Sequence, residues 1–433
     1  MKIKLVLSFI AIVMAISGQT IRAQSEIQIE EILVSNTKII DLPESKIFDE
    51  QIKLIAPRDI GDIFKSMTGF GVIKRGGYAM EPVFRSFKYE QINMMFDGSM
   101  KIVPACPNRM DPITTHVNPE EISKIEIIKG PYSVRYGQSF GGIINLVTRK
   151  KTYTDKLEFH GLTSAGYQTN GGGKTLGLNL NTGNKYFDFD ISGGLKDFGN
   201  YKSGWDLEIP SSFKSYDYAI KIGVNPTSNQ RVLVSWRQSF GRDIMHAGLP
   251  MDTEKDDSRM LSFDYTIRNL NDLIFEFNIK AYYSDVDHIM SNINRPNYAM
   301  SNAVANVFSK TYGGKIEAGI SIAENNILYT GIDYTYVWKD GDRQRKVFYN
   351  ACSGMSFDTP MEFTDLIWQN SNLSNFGYFI ESKNNLSERL SLIGGLRIDL
   401  DNAQINDPAK DFESMYPEGF EQDGIVSFSG NLT

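Results

Sequence analysis

Cysteine is nearly absent, with two in 433 residues, Cys106 and Cys352. So few thiols exclude a disulfide-stapled scaffold: one bridge at most can form, and nothing in the sequence fixes how far apart the two fold. Histidine is equally scarce at four, and none has a credible nucleophile partner, so no catalytic arrangement emerges and the chain does not read as an enzyme. Surplus positive charge is missing as well. A formal net charge of −7 removes electrostatic support for a nucleic-acid partner. Beyond the first residues there is no apolar run long enough to cross a bilayer as a helix. The first residues themselves read as an export signal over 1–23: a basic start at Lys2 and Lys4, an apolar core from Leu5 to Ile16, and Ile21-Arg22-Ala23 before Gln24. An exported chain with no second apolar helix is periplasmic, secreted or an outer-membrane barrel.

What the chain does contain points to strands. Aromatics make up 12%, with 21 Tyr and 26 Phe beside 37 Gly, a composition suited to a β-rich protein with an aromatic surface. Residues 46–150 predict a compact mixed α+β unit. Pro57 to Phe64 has helical spacing with Asp59 near its start, and Thr68-Gly69-Phe70-Gly71-Val72 and Pro82 to Phe87 read as strands. Met94-Met95-Phe96-Asp97-Gly98 ends a strand in an Asp-Gly turn. From residue 155 apolar and polar residues alternate, as in Phe187, Phe189, Ile191 and Leu195 against Asp188, Asp190, Ser192 and Lys196. A soluble sandwich gives the same alternation. The connections favour a membrane barrel, because short turns near 182–184, 227–229, 269–271, 324–326 and 385–387 alternate with long links at 199–213, 242–257, 286–304, 339–372 and 402–424. About twelve strands are expected, the last from Gly424 to Leu432.

The run Ile125-Glu126-Ile127-Ile128-Lys129-Gly130-Pro131, then Tyr136-Gly137 and Gly141-Gly142-Ile143-Ile144-Asn145-Leu146-Val147-Thr148, resembles the plug signature of TonB-dependent outer-membrane receptors. Further plug landmarks are similar, with Thr68 where the family has proline and Ser86 where it has glycine. The resemblance implies a transmembrane antiparallel β-barrel with an N-terminal mixed α+β plug in its lumen, set in the lipid of a Gram-negative outer membrane. Such a barrel has about 22 strands, so 151–433 is expected to be its N-terminal part and 46–150 the plug. Within the linker 24–45, Glu31, Ile32, Leu33, Val34 and Ser35 would be the TonB box, which pairs as an added strand with TonB and its inner-membrane energising complex.

Two soft-ligand pairs narrow the cargo. Cys106 and Met110 lie four apart in a proline-bounded loop and converge if that loop makes a helical turn. The seventh strand, Leu273 to Asp285, is expected to deliver His288 and Met290 to the outer loops, side by side in an extended segment. With sixteen Met, four His and two Cys in the chain, two such pairs rarely arise by accident. Thiolate, thioethers and imidazole select Cu(I); zinc suits Cys and His but rarely takes Met. The pairs resemble the copper-receptor (OprC/NosA-type) subfamily, which implies copper carried by Cys106, Met110, His288 and Met290, with no prosthetic group. Met245, His246 and Met251 form a secondary candidate set in an outer loop. His116, near Glu120 and Glu121, reads as plug surface, and His160 as a solvated or structural residue. Cys352, with Met355 nearby, has no assigned role, and a Cys106–Cys352 bridge would abolish the copper site. The rivals are a receptor for a siderophore, haem or other metal chelate, which Arg242, Arg259, Arg343 and Arg345 leave open, and a surface binding protein that transports nothing.

Overall fold

The structure, a computed structural model, describes residues 44–48 and 57–432 apart from 150–153, 324, 351, 388–389, 418 and 420. The predicted signal peptide and TonB box lie outside the described residues. The plug is built on a four-stranded sheet of β1 (Glu44–Phe48), β4 (Ile92–Phe96), β5 (Ile122–Ile128) and β6 (Gly142–Thr148), with β2 (Phe70–Lys74) and β3 (Met80–Phe84) as a separate hairpin. Its order is β1-β5-β6-β4, antiparallel except for the parallel β4–β6 pair. Every residue of β6 is buried, which is why Gly-Ile-Ile-Asn-Leu-Val-Thr reads as a continuous apolar run rather than an alternation. The expected helix is short, Ile60–Ile63, capped by the Asp59 carboxylate, which accepts the Asp62 N–H, and followed by a 3-10 turn at Phe64–Ser66.

The wall is one antiparallel sheet. It runs through β7 (Glu158–Gln168), β8 (Gly173–Gly183) and β9 (Phe187–Phe198), past the short pair β10 (Tyr201–Lys202) and β11 (Glu208–Ile209), to β12 (Phe213–Thr227), β13 (Gln230–Ile244), β14 (Asp252–Arg268) and β15 (Ile274–Ser291). It continues with β16 (Ser301–Ala323), β17 (Asn326–Tyr349), β18 (Ser356–Leu366), β19 (Ser371–Ser387), β20 (Leu390–Ile405) and β21 (Gln422–Leu432). Twelve strands follow one another along the sheet, as expected, and β18 adds to the outer part of β17. Burial separates barrel from sandwich. On β20 the apolar Leu396, Ile398 and Leu400 are exposed, Leu396 at 68%, while Arg397 and Asp399 are buried at 1% and 0%. On β9 Phe187 and Ile191 are exposed while Asp188 and Ser192 are buried. A soluble sandwich would bury the opposite face; an apolar outside and polar inside is a lipid-facing barrel.

Several strands outrun the expected boundaries. β16 and β17 have 23 and 24 residues, whereas about ten suffice to span a bilayer. Much of what reads as long loop is therefore strand. His288 and Met290 belong to β15 itself, a correction to the expectation that they sit in the loop beyond it.

Buried polar groups tie plug to wall. The Arg135 guanidinium donates twice to Glu317, at 3.1 and 2.6 Å. The Ser133 hydroxyl and the Val134 N–H both donate to Glu381, each at 2.9 Å. Arg237 pairs with Glu121, and Lys280 donates to the Asp97 carbonyl at 2.6 Å. Arg397 sits between Asp333 and Asp399, donating to both, in space left by Gly377, where a Cβ would overlap its guanidinium. Arg397→Ala strands two acids in the lumen. The expected loss is about 3–5 kcal/mol, read from the denaturant midpoint of the full-length protein, and adding Asp333→Asn with Asp399→Asn recovers most of it.

Candidate metal centre

The plug side of the site is the loop 104–112. Asp111, fully buried, accepts the Ala105 N–H at 2.6 Å and the Cys106 N–H at 3.1 and 3.2 Å. The Arg109 N–H donates to the Cys106 carbonyl at 2.9 Å, and Arg109 takes a left-handed backbone with φ 53°. That residue ends any helical ladder, so Cys106 and Met110 are brought together by a tight turn and not by the helical turn expected. Both are buried and belong to one apolar cluster that also holds Met290 of the wall.

The wall side comes from β14 and β15. In their register Asp256 lies opposite His288 and Thr253 opposite Met290. A register shift between Thr253 and Lys255 inserts Glu254 as an extra residue. Without that bulge, side chains three apart on a strand would face opposite sides; with it, Thr253 and Asp256 are both buried in the lumen.

The four predicted donors meet. Cys106 Sγ lies 3.4 Å from Met290 Sδ. Met110 Sδ and His288 Nε2 both approach the Thr253 hydroxyl, at 3.5 and 3.3 Å. His288 Nδ1 is 3.1 Å from Asp256 Oδ1, and the Asp256 carboxylate accepts the Tyr78 hydroxyl of the plug at 2.7 Å. This second partner holds the His288 ring so that Nε2 is left for a ligand. Asp111, Asp256 and His288 also lie close enough to offer three ligand atoms within 4.8 Å of one another. The carboxylates are already engaged, Asp111 with two amides and Asp256 with Tyr78 and His288. The sulfur-rich face is the one with donors to spare.

The secondary set divides. His246 is fully buried: its Nε2 lies 3.0 Å from the same Thr253 hydroxyl, and its loop is fastened by Arg295, which donates to the His246 carbonyl at 2.6 Å and pairs with Asp252. Burial pushes its pKa down to about 3, so the imidazole is neutral at physiological pH. Met251 packs against the cluster of Cys106, Met110 and Met290; Met245 is half-buried beside Gly76 of the plug. His116 is a correction: it is fully buried, with Nδ1 3.0 Å from Ser239 of the wall, because the loop after β4 runs into the lumen rather than over its surface. His160 is half-exposed beside Glu158. Both cysteines are free thiols, Cys106 buried and Cys352 exposed, so no bridge joins them. Asp111, Thr253, Asp256 and Tyr78 were not singled out by sequence reasoning. Only Asp111 carried a signal, standing directly after Met110 in a proline-bounded loop.

A mixed α+β plug packed against the polar face of an antiparallel sheet whose other face is apolar defines a plugged outer-membrane barrel architecture. Residues 38–143 match the family described as TonB-dependent Receptor Plug Domain. Among solved structures, the chain is similar to one described as the copper transporter OprC, with TM-score 0.74 and 23% identity over 90% of this chain and 59% of that one. It is similar also to the FrpB iron transporter from Neisseria meningitidis (TM-score 0.60, 17% identity, 86% and 58%) and to the ferric citrate transporter FecA (TM-score 0.65, 13% identity, 90% and 59%). The chain spans about three fifths of the length of these structures. Residues 38–143 thus match the TonB-dependent receptor plug domain, and the chain as a whole shares the plugged-barrel fold of these structures.

Asp111→Ala leaves two buried amides without acceptors, at about 1–3 kcal/mol each. Hydrogen exchange of segment 104–112 should accelerate by about tenfold or more, with plug segments remote from it unchanged.

Proposed function

We propose that this protein imports copper across the outer membrane, gripping Cu(I) between plug and wall. The observation that carries this reading is the convergence of Cys106 and Met110 from the plug with His288 and Met290 from β15, with Cys106 Sγ and Met290 Sδ 3.4 Å apart. Two thioethers, a thiol and an imidazole are a donor set for a soft monovalent ion, and the likeness to a copper transporter agrees with it. Iron receptors share the fold, but a ferric ion prefers oxygen donors, and the carboxylates here are engaged.

The geometry suggests how the ion is held and let go. Asp256 orients His288, and Tyr78 of the plug in turn holds Asp256. Half of the donors and one of the orienting groups thus move with the plug. When TonB, engaged through Glu31 to Ser35, pulls on the plug, Cys106 and Met110 part from His288 and Met290 and the site loses half of its ligands. His246, beside the Thr253 hydroxyl, and Met251, packed against the sulfur cluster, are secondary contacts of the same site. No reacting bond in a substrate is involved, and the role is transport rather than catalysis.

Full-length protein purified from copper-supplemented cells should retain about one copper per chain. Cys106→Ala and His288→Ala should each abolish retention, and Asp256→Asn should weaken affinity by about 10–100-fold. Deleting residues 31–35 should stop uptake by cells while leaving retention intact. Copper content unaffected by Cys106→Ala would refute the site, and uptake persisting after the deletion would refute TonB coupling through residues 31–35.

A further inference from the structure

Beside Cys106 lies a cavity of about 370 Å³, lined by Arg75, Tyr89, Arg109, Lys339, Trp368 and Cys106 among others. Three cations face one lining carboxylate, Glu90, and their own partners are unevenly shared. Arg109 takes both Glu81 and Glu90. Arg75 is buried, and its Nη1 makes no hydrogen bond among the described residues, the nearest Glu81 oxygen standing 3.7 Å away. Lys339 has no ion pair among the described residues; its ammonium sits 4.3 Å over the Trp368 ring. Arg75 lines the cavity as a residue, its Nη2 donating to the Tyr89 hydroxyl at 3.4 Å, and the space beside it and Lys339 is large enough for a small molecule. The Trp368 indole N–H donates to the Ala105 carbonyl at 2.5 Å, which fixes the aromatic wall against the loop that carries Cys106.

We propose that this cavity is a docking site for a small anionic Cu(I) complex, a thiolate carrier bearing a carboxylate, and that Cys106 takes the ion from it. The inference rests on the copper reading above and adds the form in which the ion arrives. Dissolved Cu(I) is held by a soft donor, and a carboxylate on that carrier supplies the anion that Lys339 lacks among the described residues and that the neighbouring Arg75 and Arg109 charges attract. Transfer is a ligand exchange with copper remaining Cu(I). The carrier's Cu–S bond breaks as a bond to Cys106 Sγ forms, and the thiol proton of Cys106 passes to the departing thiolate. A bare ion would gain nothing from a cationic antechamber, which repels it.

The test uses full-length protein and two probes of matched size, Cu(I) complexed by 3-mercaptopropionate and Cu(I) complexed by 3-mercapto-1-propanol. The rate of copper transfer to the protein and the copper retained at equilibrium are measured separately. Transfer from the carboxylate complex should be about tenfold faster. Arg75→Gln and Lys339→Gln should each erase most of that preference, Lys339→Arg should keep it, and retained copper should stay the same in all three. Equal rates from the two complexes in the unaltered protein, with copper still retained, overturn the docking site and leave the copper reading standing. Variants that slow both complexes alike overturn it too, since only the fold was disturbed. Retention from neither complex overturns the copper reading and this inference together.

Discussion

The structure depends on a barrel whose polar face points inward. Lipid takes the apolar side of each strand, so Arg397, Asp399, Glu381, Glu317 and Lys280 are confined to a lumen where the plug excludes water. Each of them must then be satisfied by another buried group. The plug answers with backbone and side chains at 97, 133–135 and 121. A lumen that needs its stopper for hydrogen bonds also holds that stopper in one position. Any displacement of the plug would have to break several charge-assisted bonds, each stronger than a neutral one.

The candidate metal centre lies where this polar seam gives way to an apolar one. Cys106, Met110 and Met290 share a cluster with Ile113, Val286 and Val307, and the orienting groups Asp256, Tyr78 and Thr253 stand to one side. Sulfur donors lose little by burial among aliphatic neighbours, whereas the imidazole needs its carboxylate. Placing Asp256 on the wall and Tyr78 on the plug makes the orientation of His288 a property of their contact, not of either part alone.

Much of this was legible in the sequence, for definite reasons. The alternation of Phe187 to Leu195 is local and survives folding unchanged, so strand type and number could be read directly. Cys106, Met110, His288 and Met290 are chemically distinctive pairs at short spacing. Asp256 and Thr253 were hidden because an extra residue at Glu254 breaks the two-residue period between them, and no period-based reading locates a bulge. Tyr78 and His116 were hidden for another reason: plug loops look polar and surface-like until a wall of separate sequence closes around them. Strand ends were misplaced because residues 339–349 are polar enough to pass as loop and 286–291 mix polar with apolar residues, yet both continue the sheet.

Those extended strands bear on why the site is shared. An ion held wholly by the plug could travel with it, and one held wholly by the wall would feel no pull. The continuation of β14 and β15 carries Thr253, Asp256, His288 and Met290 to the loop 104–112, and the bulge lets Thr253 and Asp256 face inward together. The same extension carries Lys339 and, through β18, Trp368 beside Cys106. The strand length beyond what lipid requires thus supplies both the wall half of the candidate donor set and Lys339 of the cationic cavity beside it.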